Sequence, residues 1–163
     1  MKYNREFNEP TSISNVNLQK IIQFYLLECP VEGVSQRGKS FKDLGYVGSK
    51  AFGALKKKLL KAATESLSEN YKPSTKDKLP ENFKICEKVC YPDEYCVFLA
   101  TERKTVMRSL FSAIRNSFAH GSFNVKTYNK TRIYYFSNYK EYEKARIVLH
   151  ESTLLSWIKI INS

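Results

Sequence analysis

TVMRSLFSAIRNSFAHGSF, Thr105 to Phe123, is the most regular segment of the chain. Val106, Met107, Leu110, Phe111, Ile114 and Phe118 recur at three- and four-residue intervals, the spacing that lines up apolar side chains along one side of an α-helix. The other side carries Lys104, Arg108, Ser112, Arg115, Asn116 and His120. Gly121 stands where such a helix would stop. Beyond it the period changes from helical to alternating in FNVKT, RIYYF and ARIVL, with the turn-rich YNKT and SNYKEY between them. That change predicts a small antiparallel hairpin or meander over about 123–150. Leu154, Leu155, Ile158 and Ile161 then return to helical spacing and predict a closing amphipathic helix.

Upstream, Leu18, Ile21, Ile22, Tyr25, Leu26 and Cys29 form a first helical face that Pro30 ends. Residues 31–53 hold five of the six glycines and no periodicity, which predicts an irregular loop. Phe52, Leu55, Leu59, Ala63 and Leu67 mark a second helix, with Lys56, Lys57 and Lys58 off its apolar stripe, either as a solvated flank or as phosphate contacts. Asn70 to Pro80 is polar and bracketed by prolines, and reads as a surface loop. Phe83, Cys86 and Cys90 suggest a short helix, and Pro92 with Asp93 would begin a long helix, or a kinked pair, running to about His120. The expectation is a single mainly α domain over 1–163, a bundle of four to five helices with a small β element before the last one.

The chain has 163 residues, enough for one domain with a substantial core and too few for two. Its 42% hydrophobic content favours a folded chain over a disordered one. The net charge of +11 draws polyanions, so nucleic acid is the first partner to consider. The start MKYNREFNEP lacks an apolar signal region and no apolar run approaches the roughly 20 residues of a membrane span, so a cytoplasmic protein with no membrane partner is expected. In that setting Cys29, Cys86, Cys90 and Cys96 read as reduced thiols. Three of them could begin a zinc site, but no C-x-x-C and no nearby histidine completes it, and no metal or other cofactor is expected.

Gly33 to Ser40, GVSQRGKS, matches a phosphate-cradling loop in pattern, with Lys39 as its cation. The preceding helix and the following FKDLGYVG supply neither the strand nor the helix this motif needs, so it reads as a basic loop. The combination in Ile114 to Phe123 is more specific. An Arg followed at once by Asn, then by His four residues later on an amphipathic helix, is uncommon by chance in a chain with two histidines.

Arg115, Asn116 and His120 match the R-N-x-x-x-H form of the Arg, four-to-six residues, His motif, and in this the chain resembles the HEPN superfamily of small helical bundles. The likeness implies a metal-independent endoribonuclease acting as a homodimer, with the motif at a two-fold interface. It also implies a toxin or abortive-infection type of defence role, controlled by an antitoxin or a larger defence assembly. A branch of that family carries a tyrosine two residues after the histidine. Ser122 occupies that position here, followed by Phe123, so tyrosine adenylylation is not expected. The strand-like stretch from Ser122 to His150 is a second departure.

Apart from the likeness, an Arg and a His near a helix end can equally cap carbonyls and pair with carboxylates, His being favoured there by the helix dipole. RNA cleavage by attack of the 2′-OH needs a base for that proton, an acid for the leaving 5′-oxygen and positive charge on the phosphate. Histidine titrates near working pH, and arginine offers a permanently charged fork matched to phosphate oxygens. Asn116 would orient His120 or the phosphate, while Lys104, Arg108, Ser112 and Lys56 to Lys58 would track the RNA backbone. One imidazole serves poorly as acid and base together, so two copies would supply both. The alternatives are a catalytically silent RNA-binding or regulatory module on the same basic face, and a nucleotide-binding protein using Gly33 to Ser40. His150, near a strand end, reads as structural.

Overall fold

The computed structural model describes residues 15–31, 38–101 and 105–163. Helix α1 (Val16–Ile22) is capped by the Asn15 side chain and continues as a π-helical turn, Gln23–Glu28. Then come α2 (Gly48–Lys61), α3 (Leu67–Asn70), β1 (Tyr71–Ser74), α4 (Leu79–Cys86), β2 (Tyr95–Leu99) and α5 (Val106–Ala119). The chain closes with β3 (Phe123–Tyr128), β4 (Thr131–Lys140), β5 (Tyr142–His150) and α6 (Glu151–Ile161).

The five strands form one mixed sheet in the order β1-β2-β5-β4-β3. Only β1 and β2 pair in parallel, and β3, β4 and β5 are the expected meander. The fold is therefore α+β, which overturns the mainly α helical bundle read from the sequence. The long helix expected from Pro92 does not exist either, because its first half is β2. YCVFL is apolar throughout because both of its faces are covered: Cys96 and Phe98 join the main core, and Val97 packs with Leu79, Phe83 and Cys86 beneath α4. A strand buried on two sides loses its alternation, and a short apolar run of that kind cannot be told from buried helix by period alone. β1 lay within the expected loop at 70–80, and its Pro73 is tolerated because β1 is an edge strand.

α5 crosses the opposite face of the sheet and forms the centre of the main core. Leu110, Phe111 and Ile114 are fully buried against Tyr25, Phe98 and Trp157. Tyr25 and Phe111 stack at 5.9 Å, and Tyr25 Oη donates to the Leu154 carbonyl at 3.0 Å, tying the π-helical turn to α6. Glu94, wholly buried, fixes the loop before β2: its carboxylate accepts from the backbone N–H of Thr64 and of His150 and from the Thr64 hydroxyl. His150 is the N-cap of α6, its ring stacked 5.9 Å from Tyr91. Among the described residues no helix is long and apolar enough to cross a membrane.

Candidate functional site

α5 is bounded at both ends by local chemistry. The Thr105 hydroxyl accepts from the Arg108 N–H at 3.3 Å, which caps the start. At the other end Gly121 sits at φ +65°, and its N–H donates to Phe118 O at 3.2 Å. The Ser122 N–H donates to Ser117 O at 2.8 Å. This pair of bonds around a left-handed glycine closes the helix and leaves His120, its C-cap, exposed just past Ala119.

At about 100° per residue, Ser109, Ser112, Asn116 and His120 fall on one stripe of α5, with Arg115 on the adjoining flank about 140° from His120. Arg115 is half-buried, and its Nη1 donates to Asn116 Oδ1 at 3.3 Å, while its Nε is buried without a partner. Burial pushes the neighbouring Cys29 thiol well above its ordinary range, and the Arg115 charge opposes that. The structure thus joins Arg115 to Asn116 and leaves His120 one turn further on.

Asn116 also lines a cleft of about 180 Å³ of mixed polar and apolar character between α5 and the β4–β5 end of the sheet, together with Leu99, Ser109, Ser112, Ala113, Asn138 and Lys144. Ser112, expected on an exposed flank, is 8% exposed and faces this cleft. Sequence reading missed Ser109, Asn138 and Lys144. The spacing of Ser109, Ser112 and Asn116 was a usable signal, a polar line set into an apolar helix. Asn138 and Lys144 arrive from a hairpin and left none.

The remaining expected contacts are dispersed. Lys56, Lys57 and Lys58 are exposed on α2, and Lys56 shares an apolar hollow with Thr105 and Val106 at the start of α5. That places Lys56 ~20 Å along the helix from His120. Arg108 is half-buried, and Lys104 lies outside the described residues. Gly33 to Arg37 of the phosphate-loop pattern also lie outside them, whereas Gly38 packs so closely that a side chain there would collide with the Glu28 and Cys29 carbonyls. A π-helical turn precedes that segment, not a strand. Cys29, Cys86 and Cys96 are buried free thiols, and Cys90 is exposed.

On the side of the sheet that α4 partly covers, a groove of about 430 Å³ begins at Gly121 and Ser122 and passes Asn124, Tyr135, Ser137 and Arg146. Lys126 Nζ lies 5.4 Å from the Tyr135 ring centre, and Arg146 is gripped by both carboxylate oxygens of Glu143 at 2.7 and 2.8 Å. No family model, curated protein or solved structure matches this chain.

Proposed function

We propose that the protein is a metal-independent endoribonuclease that uses Arg115, Asn116 and His120. The observation that supports this best is the exposed His120 imidazole at the end of a stripe whose preceding member, Asn116, is bonded to the Arg115 guanidinium. A permanent cation and a proton-transfer group therefore lie on one short helical segment of a chain carrying +11.

In the proposed reaction the ribose 2′-oxygen forms a bond to phosphorus as the bond to the 5′-oxygen breaks. The products are a 2′,3′-cyclic phosphate and a 5′-hydroxyl. One His120 accepts the 2′ proton, and a second His120, from another copy of the chain, donates a proton to the 5′-oxygen. Arg115, held by Asn116, offsets charge on the phosphate. The likeness of the R-N-x-x-x-H stretch to HEPN ribonucleases further supports a toxin or abortive-infection role under an antitoxin or defence assembly. The test is cleavage of labelled RNA in excess chelator, with activity lost in Arg115→Ala and in His120→Ala.

The separation of Arg115 and His120 by about 140° around α5 favours a second reading, a silent RNA-binding module. It yields salt-sensitive binding and no cleavage products in the same assay.

A further inference from the structure

We infer that the open part of the sheet on its α4 side, over β3, β4 and β5, is a platform for single-stranded RNA that leads the strand toward His120. Tyr134, Phe136 and Ile147 point into the main core, so Asn124, Lys126, Tyr135, Ser137 and Arg146, which alternate with such residues, point the other way. On that side α4 packs against Val97 of β2. Further along the sheet Tyr135 and Tyr128 stay 38% and 54% exposed. A lone exposed ring needs no explanation; rings grouped with cations along a groove do.

The groups on this face are those that hold unpaired bases. Tyr135 offers an aromatic ring, with the Lys126 ammonium 5.4 Å from its centre. Arg146 offers a guanidinium plane, gripped by both Glu143 oxygens and laid 4.7 Å from the Phe83 ring centre. Its side chain is still 36% exposed, so a planar cation is fixed in orientation and open to the groove. Unpaired bases stack on aromatic rings and guanidinium planes, and every base has a face to offer. Tyr135 pairs with Val148 and Ser137 with Arg146, which makes Tyr135 and Arg146 diagonal neighbours ~7–8 Å apart, a step that two splayed-out bases span. Charge fits the same ligand. Glu143, the carboxylate in the groove lining, is taken by Arg146, and Lys126 has no ion pair among the described residues. In a chain of +11 the face therefore attracts an anionic strand and sets no free carboxylate in the groove against it.

Position links the platform to the proposed site of cleavage. The groove begins at Gly121, the residue that follows His120, and runs from there past Tyr135 to Arg146. A strand whose bases stack on Tyr135 and Arg146 thus leaves the groove at the end of α5. Lys126 is exposed on a flexible stem, so its ammonium moves to a phosphate as a base takes its place over Tyr135. The inference rests on the ribonuclease reading for the choice of RNA among polyanions, whereas binding on the sheet does not depend on cleavage.

The experiment is equilibrium binding of the full chain to a short labelled RNA strand made uncleavable by 2′-O-methyl substitution. It is read by fluorescence anisotropy over a range of salt, with the same sequence as a duplex for comparison and poly-glutamate as competitor. The wild type binds the single strand more tightly than the duplex and keeps it in the presence of poly-glutamate. Tyr135→Ala weakens binding about tenfold, the usual loss for one base–aromatic stack, and Tyr135→Phe keeps wild-type affinity. Lys126→Gln lowers the slope of log affinity against log salt by about 0.7, one phosphate contact on a single strand. Lys159→Gln, on α6 across the sheet, leaves that slope unchanged. Tyr135 is more than a third exposed, so its variants melt with the wild type, which separates lost binding from lost folding. Absence of binding by the wild type overturns the platform, as does wild-type affinity in Tyr135→Ala or loss of affinity in Tyr135→Phe. Equal affinity for the duplex, displacement by poly-glutamate, or equal slope changes in Lys126→Gln and Lys159→Gln also overturn it. Cleavage by wild type and His120→Ala is read separately: His120-dependent cleavage with unaltered binding in Tyr135→Ala sinks the platform alone, and Tyr135-dependent binding without cleavage sinks the nuclease reading alone.

Discussion

Arg115 donates from Nη1 to the side-chain oxygen of its neighbour Asn116 across 3.3 Å. Two adjacent residues on a helix point about 100° apart, so the bond forms only because the arginine side chain is long enough to fold back toward the Asn116 stripe. The guanidinium is thereby held on the side of the helix that leads to His120. Asn116→Ala removes the acceptor and leaves Arg115 free to sample other rotamers. RNA cleavage is expected to fall about tenfold with retained folding, as seen in initial rates alongside circular dichroism. Arg115→Lys is expected to be no milder, because an ammonium cannot reproduce the planar fork.

The turn that exposes His120 depends on Gly121 at φ +65°. An L-residue in that conformation costs roughly 1–2 kcal/mol. Gly121→Ala is expected to lose about that much stability in urea unfolding, although a Cβ there would meet no atom within 4 Å. A loss near zero would show that the helix ends without the left-handed turn.

How much of this was legible in the sequence follows from period and burial. α5, the meander and α6 could be read because each has one buried and one open face, which stamps a period on the residues. β2 could not, because α4 covers Val97 while the main core covers Cys96 and Phe98, so no polar residue marks a face. β1 was hidden by Pro73, which an edge position permits. At the site, Arg115, Asn116 and His120 were visible as a motif, and their angular spacing followed from helix geometry. The cleft was not visible, since Asn138 and Lys144 reach α5 only through the tertiary packing of the hairpin.

Glu94 is expected to be a structural keystone unconnected with catalysis. Its carboxylate receives backbone N–H groups from Thr64 at 2.8 Å and from His150 at 2.6 Å, joining the end of α2 to the start of α6. Glu94→Gln keeps the shape but replaces one acceptor by a donor facing an N–H. About 2 kcal/mol is expected to be lost, the scale of a hydrogen bond to a charged group. For a domain of this size that lowers the melting temperature by about 4–8 °C in calorimetry.

Alkaline pH should also destabilise the fold through the smaller core. Burial pushes the Cys86 thiol from its ordinary 9.0 up to about 11, against the opposing pull of Arg146, and pushes the Tyr95 phenol from 10.0 up to about 12. Both acids ionise more readily in the unfolded chain. Their contribution is therefore fully present below pH 9 and is lost as pH rises, through about 11 for Cys86 and about 12 for Tyr95. Cys86→Ala should flatten the decline of melting temperature between pH 9 and 11. In the native protein the exposed Cys90 is expected to react with a thiol reagent well before Cys29, Cys86 and Cys96.

The most direct test of the central claim is single-turnover cleavage of a labelled RNA in excess chelator by wild type and by His120→Ala. The wild type is expected to release fragments ending in a 2′,3′-cyclic phosphate, with the rate reduced at least about a hundredfold in the variant, the lower range for loss of a general acid–base group. Equal rates for the two proteins, or wild-type activity that disappears with the chelator, would contradict it.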